Sequence, residues 1–196
     1  PPSQLLIEIS GSFFDPGEVP SRVRERLLQG GRNMGVSLII AETRADTIDS
    51  RILRQAVAQV APSRLLVELG VESFDAWVSR YCINKGVKVA MLPALVTEMK
   101  ASGVIPVANV IVGAPFLSPQ EQIDDAVASV RTALGAGFEG VVLLPVHLKA
   151  HTLAHWLAQR ALYDPPSLTA LAEVLFGLPD DALARVELAW YHNRET

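Results

Sequence analysis

Apolar runs in this sequence end, again and again, in polar or glycine-rich residues. Leu5 to Ile9 leads into Ser10-Gly11-Ser12-Phe13-Phe14-Asp15-Pro16, and Ser37 to Ala41 leads into Glu42-Thr43-Arg44. Leu65 to Leu69 holds Glu68 and continues into Gly70-Val71-Glu72-Ser73. Val107 to Val112 carries Asn109 and ends in Gly113-Ala114-Pro115, and Val141 to Val146 ends in His147-Leu148-Lys149. Carboxylates on such runs are costly to bury unless something pairs with them. Glu42, Glu68 and Glu72 are therefore candidates for acid–base work or for holding a polar ligand. Internal pairing, Glu42 with Arg44 or Glu68 with Lys85, would account for them equally well.

Other reactive side chains point less clearly. His147, His151 and His155 follow at four-residue intervals, which on a helix would bring three imidazoles near one face for zinc or nickel. No HExxH pattern or carboxylate partner follows, and His147 falls at a strand end. Gly30, Gly31 and Gly35 come after a helix and before a strand, the reverse of the order that aims amides at a pyrophosphate. Cys82, between Tyr81 and Ile83, reads as a small buried residue. Trp77, Trp156 and Trp190 read as packing or interface aromatics, and Asp124-Asp125 and Asp180-Asp181 as solvated faces or caps.

Periodicity supplies the elements that must position these residues. The five apolar runs have the pattern of strands buried on both faces. Helical spacing covers Val19 to Asn33, Asp46 to Val60, Phe74 to Tyr81 with Val89 to Ala101, and Pro119 to Leu134. The punctuation agrees: Pro20 near a helix start, Gly30-Gly31 and Gly35 as stops, Ser118-Pro119-Gln120-Glu121 as a cap, and Gly135 and Gly137 beyond it. Strands alternating with helices imply parallel β/α units, which close into part of a TIM-like barrel or open into a doubly wound sheet. Thr152 to Arg160 and Ser167 to Phe176 predict two further helices around Tyr163-Asp164-Pro165-Pro166, and Arg185 to Tyr191 alternates like a strand. The expected fold class is α/β: a partial TIM-like (β/α) barrel of five or so parallel strands, with Ser12, Glu42, Glu72, Gly113 and His147 on one rim. One domain is expected, with residues 1–149 the barrel portion and 150–196 a helical extension.

Composition removes whole classes. The 196 residues are 49% hydrophobic and 19% charged, which excludes disorder and collagen. With 17 basic against 21 acidic side chains, the net charge of -4 gives no bulk attraction for phosphates and leaves only a local basic patch open. A single cysteine excludes an internal disulfide framework, a zinc ribbon and a self-contained three-thiolate iron–sulfur site. No apolar run approaches the roughly 18 residues of a membrane span, and no signal-peptide pattern is present, so a cytoplasmic protein without membrane contact is expected. The chain starts at Pro1 and enters an apolar run within four residues, which suggests the later part of a longer polypeptide.

Taken in order, Ser10-Gly11-Ser12-Phe13, Glu68-Leu69-Gly70-Val71-Glu72-Ser73, Ile83-Asn84-Lys85-Gly86, Asn109 to Ser118 and Tyr163 to Leu168 resemble a radical S-adenosylmethionine core. The resemblance is to the branch that includes the archaeosine synthase radical subunit and, more distantly, the elongator catalytic subunit. It implies that Ser10, Gly11 and Ser12 form the glycine-rich turn receiving the methionine amino group. It implies that Glu72 and Ser73 meet the ribose and carboxylate, that Ile111 and Gly113 flank the adenine, and that Leu144 to Val146 close the other side of that pocket. Glu42 joins this set as a further strand-end carboxylate. The implied cofactor is S-adenosylmethionine. A [4Fe–4S] cluster is implied only if a CxxxCxxC motif lies upstream of Pro1, since this chain has no such triplet.

Three functions follow for test. The first is the later portion of a radical enzyme, acting by hydrogen abstraction on a modified tRNA base that other parts of the protein would bind. The second is a binding or scaffold module that has lost the cluster. The third is an ordinary barrel enzyme using Glu42, Glu68 or Glu72 as acid and base. A barrel without its first strand leaves open edges, so a second copy, a partner subunit or the segment Arg185 to Tyr191 is expected to cover them.

Overall fold

The computed structural model describes residues 3–9 and 11–189. Its strands are β1 (Gln4–Ile7), β2 (Leu38–Thr43), β3 (Arg64–Glu72), β4 (Val104–Val112), β5 (Gly140–Pro145) and β6 (Val186–Leu188). They hydrogen-bond in sequence order in one sheet, the β/α arrangement of a partial barrel. Leu38 pairs with both Gln4 and Arg64, so β1, β2 and β3 run parallel, and Val141 pairs with Val186 to make β5 and β6 parallel. β6 lies within the segment expected to be a strand; Trp190 and Tyr191 fall outside the described residues. β3 runs three residues beyond its hydrophobic run, because Gly70 and Val71, expected in a loop, are buried as its last turnless stretch before Glu72.

The helices are α1 (Ser21–Asn33), α2 (Ser50–Val60), α3 (Leu92–Ala101), α4 (Pro119–Gly135), α5 (Leu153–Ala158), α6 (Leu168–Phe176) and α7 (Asp180–Leu183). Their starts are chemically marked. Asp49 accepts the Ile52 amide at 2.7 Å, and Ser167 accepts the Ala170 amide at 3.1 Å. Ser118 and Glu121 exchange hydrogen bonds as a capping box, 2.7 Å in one direction and 3.4 Å in the other. Asp180 and Asp181 open α7, where negative charge suits the helix dipole. Phe74 to Tyr81 differs in its bounds and type: the chain winds from Ala76 to Cys82, with Val78–Cys82 as a π-type turn, and the Asp75 carboxylate caps its start by accepting the amides of Trp77 and Val78.

Two compact units divide the chain. The first takes Pro1–Val71, Val87–Ala108 and Ala136–Glu139; the second takes Glu72–Gly86, Asn109–Gly135 and Gly140–Thr196. In the first, Phe13 and Phe14 are fully buried edge to face, and Leu28, Ile39, Leu53 and Leu65 fill the space between α1, α2 and the sheet. In the second, Val78, Cys82 and Ala114 form a cluster joined by Ile83, Ile111 and Leu117, while α4 packs on α6 and β5.

Neighbouring glycines in α1 have opposite surroundings. A Cβ on Gly31 would lie 2.7 Å from Ile39 Cδ1 and 3.0 Å from Leu5 Cδ2, whereas one on Gly30 would meet nothing within 4 Å. Gly31→Val is therefore expected to destabilise the protein by about 1–3 kcal/mol, and Gly30→Ala to stabilise it by about 0.5–1 kcal/mol through helix propensity. Urea unfolding of the two variants checks the pair, and equal shifts would remove the packing argument.

Candidate functional site

In the first unit, the turn after β1 and the end of β2 are locked together. The Phe13 amide donates to the Glu42 carbonyl at 3.0 Å. Ser12 and Thr43 are buried, and Ser12 Oγ, Thr43 Oγ1 and Thr47 Oγ1 form a triangle of hydroxyls with sides of 2.5, 2.8 and 2.9 Å. Ser12 Oγ also accepts the Arg44 amide at 3.1 Å, and the Ser12 amide donates to Glu18 at 2.6 Å. The Ser12 hydroxyl thus serves the turn itself. Gly11 adopts a φ of +148° close against Glu18, which a Cβ would strike. Ser10 lies outside the described residues.

Arg44 does not pair with Glu42 in this arrangement. Its guanidinium meets Asp15 at 2.7 Å, Asp46 at 3.1 Å and Glu18, which raises its own pKa. Asp15 is held below the usual carboxylate range by the Gly17 amide and then by Arg44. The turn after β1 is held against the end of β2 by the Phe13–Glu42 and Arg44–Ser12 hydrogen bonds, which brings Asp15 and Glu18 to the guanidinium. Glu42 itself stands opposite Glu68 in the register of β2 and β3.

In the second unit, Glu72 ends β3 in a left-handed conformation, φ +71°, rare for a residue with a side chain. Lys85 Nζ meets Glu72 Oε1 at 2.7 Å, so the lysine expected beside Glu68 serves Glu72 instead. The next residue, Ser73, is fully buried: its hydroxyl donates to Asp125 Oδ1 at 2.8 Å and accepts the Asp75 amide at 3.0 Å. Ser129 on α4 accepts the Phe74 amide at 2.9 Å. Burial, with help from the Asp75 charge and against the Ser73 hydrogen bond, pushes Asp125 up to about 6. Asp125 was not legible as more than a solvated helix residue. It lines a cleft of about 410 Å³ with Phe74, Asp75, Leu117 and Glu121.

Gly113, directly after β4, has a φ of +101°, and a Cβ there would lie 2.5 Å from Pro166 Cδ. Tyr163 donates its hydroxyl to the Gly113 carbonyl at 2.6 Å, and burial pushes that phenol up to about 12. The Val146 amide donates to the Val112 carbonyl at 2.9 Å, which brings Val146 beside the Val112-Gly113 step. Ile111 packs its side chain into the Val78, Cys82 and Ala114 cluster, leaving its backbone as what it could offer a ligand. The Tyr163-Asp164-Pro165-Pro166 turn is thus the floor under Gly113. Its tyrosine stood in the resemblance, without a role assigned from the residues alone.

The histidines separate. His147 follows β5, His151 sits in a turn at φ +65°, and His155 lies on α5 near Gln159. Among the described residues no group of three or more His, Cys, Asp and Glu is placed to hold a metal ion. Burial first, then the charges of Asp125, Asp75 and Glu121, raises the Cys82 thiol. No helix among the described residues is long and apolar enough to cross a membrane.

No known family model matches the sequence, and no curated protein does. Solved structures do. The archaeal Methanocaldococcus infernus Elp3, with an N-terminal deletion, aligns with 98% of this chain at a TM-score of 0.69 and 16% identity. The radical S-adenosylmethionine methyltransferase TsrM from Kitasatospora setae, solved with cobalamin and a [4Fe–4S] cluster, aligns with 96% at 0.64 and 12%. Coproporphyrinogen III oxidase, HemN, from Escherichia coli, a radical SAM enzyme, aligns with 89% at 0.56 and 18%. The fold is that of the partial (β/α) barrel in radical S-adenosylmethionine enzymes. The chain spans 48%, 46% and 38% of these three structures, less than half of each.

Two substitutions test the local geometry. Tyr163→Phe leaves a buried carbonyl without its donor and is expected to cost about 1–3 kcal/mol in urea unfolding. Asp125 binds its proton more tightly folded than unfolded, so its favourable contribution is full below the unfolded carboxyl pKa near ~4 and is lost as pH rises to about 6. Asp125→Asn, which keeps an acceptor for Ser73, should then stabilise the protein relative to the wild type at pH 7.5, and less so at pH 4.5. An equal gap at both pH values would contradict the raised pKa.

Proposed function

We propose that this chain is the cofactor-binding later portion of a radical S-adenosylmethionine enzyme core. The observation that carries the reading is the fold match over 98% of the chain, joined to strand ends that carry Gly11, Glu72 and Gly113 in left-handed or otherwise glycine-favouring backbone. Bound S-adenosylmethionine supplies radical hydrogen abstraction in such enzymes. Here Val146 and the backbone around Gly113, whose side-chain position is filled by Pro166 and whose carbonyl is held by Tyr163, would flank the adenine, with Ile111 contributing main-chain groups. Glu72 would accept ribose hydroxyls, its rotamer held by Lys85. Ser73 would act by fixing the turn through Asp125. For the methionine end, the resemblance implies Ser10, Gly11 and Ser12, with Glu42 a further strand-end carboxylate in the same unit as Gly11 and Ser12.

A [4Fe–4S] cluster asks for three thiolates. The single thiol of the chain, Cys82, is buried and raised in pKa, so these residues do not fit the cluster. In this reading its ligands lie in other parts of the protein, as do the elements that bind a modified tRNA base, and a partner subunit or second copy covers the outer edge of β1. The lone buried thiol equally supports a second reading, a binding module without a cluster. Retention of the cofactor uncleaved in the iron-reconstituted full protein would favour that second reading.

Titration calorimetry tests the pocket. S-adenosylmethionine should bind this chain weakly, with adenosine competing almost as well. Glu72→Gln should lower the affinity for both about tenfold, the loss of one strong polar contact. Gly113→Val is a poor probe, since its Cβ would displace Pro166. Heats equal to buffer for both ligands, or binding untouched by Glu72→Gln, would overturn the assignment.

A further inference from the structure

Charge is segregated between helices. α1 and α2 pack together and carry Arg22, Arg24, Arg26, Arg32, Arg51 and Arg54 against the single acid Glu25. α4, α6 and α7 reverse the balance, with Glu121, Asp124, Asp125, Glu173, Asp180 and Asp181 against Arg131. Arg24 is occupied: it lies 5.6 Å over the Phe14 ring and donates to the Phe14 carbonyl. Arg22, Arg26, Arg32, Arg51 and Arg54 are exposed and, among the described residues, make no ion pair. Arg44, Lys85 and Lys100, by contrast, all hold carboxylates.

We infer that the α1–α2 face binds the phosphate backbone of a nucleic acid. Arg22 and Arg26 stand one turn apart on α1, Arg51 and Arg54 nearly so on α2, and packed helices lie about 8–10 Å apart. Guanidinium groups so spaced, each with five donors and no internal acceptor, form a lattice that several successive phosphates can engage. Neither helix carries an aromatic residue, so the face lacks the Trp or Tyr anchors of a protein hot spot and the platforms that stack bases. Backbone contact that positions without reading sequence is what remains. The net charge of -4 does not oppose it, because at physiological salt charges beyond about 8 Å are largely screened. This inference stands apart from the cofactor reading and survives its failure.

The test is fluorescence anisotropy of the protein with a fluorescein-labelled 20-nucleotide RNA and the DNA of the same sequence. If four phosphates are neutralised, single-strand affinity should fall about fiftyfold between 50 and 200 mM salt, and only about sevenfold for the double variant Arg22→Ala/Arg26→Ala. Lys149→Ala/Arg160→Ala removes the same charge from elsewhere and should leave affinity and salt slope unchanged, with circular dichroism confirming that both variants fold. Binding of either strand with this arginine dependence supports the inference. Absence of binding at 50 mM salt, equal loss in both double variants, or arginine-dependent binding to phosphatidylserine vesicles in place of RNA and DNA would overturn it.

Discussion

Parallel pairing in sequence order sends the chain away from the sheet at every carboxyl end, and the backbone groups stranded there have to be satisfied by whatever follows. The ends of β1 to β4 meet that demand with a closure made by side chains brought in from distant parts of the sequence. After β1 and β2 it is a triangle of hydroxyls with Arg44 gripping the turn; after β3 it is Ser73 held between Asp125 and the Asp75 amide; after β4 it is a tyrosine hydroxyl under Gly113. These closures hold the four strand ends where chemistry could be performed.

The apolar part of this arrangement was legible in the sequence and the polar part was not. Val107 to Val112 reads as a buried strand because it is short, mostly β-branched and closed by Gly113, and Ser118-Pro119-Gln120-Glu121 reads as a cap because the capping chemistry is local. Long-range polar pairings carry no such signature. Lys85 was matched with Glu68 on plausible chemistry, yet it reaches Glu72, thirteen positions away, because the left-handed turn at Glu72 redirects the chain. Asp125 looked like a solvated helix residue, and only the fold of residues 73–78 onto α4 buries it. Phe74 to Tyr81 has helical spacing, but the winding starts only after Asp75, whose side chain caps it, and continues as a π-type turn to Cys82, a difference of helix type that spacing does not encode.

The resemblance to radical enzymes was carried by the ordered set of strand ends, and the fold agrees with it at the level of architecture. A barrel of this kind hosts many chemistries, so the architecture constrains where a reaction would occur more than which one. What distinguishes this chain is how much of each strand end is committed internally. The hydroxyls of Ser12 and Ser73 are consumed in support, which leaves main-chain groups and the Glu72 carboxylate, itself paired through Oε1 with Lys85, as the groups that could meet something else.

The single thiol gives the molecule a built-in clock. Cys82 sits on the π-type turn beneath Val78 and Ala114, with its ionisation suppressed by burial and by three nearby carboxylates. Cys82 is only 7% exposed and its thiolate, the reactive form, is disfavoured, so alkylation from solution is slow in the packed state and speeds up when that turn lifts from its cluster. The rate of labelling therefore reports on how often the packing of that segment, beside the Glu72–Lys85 pair, opens.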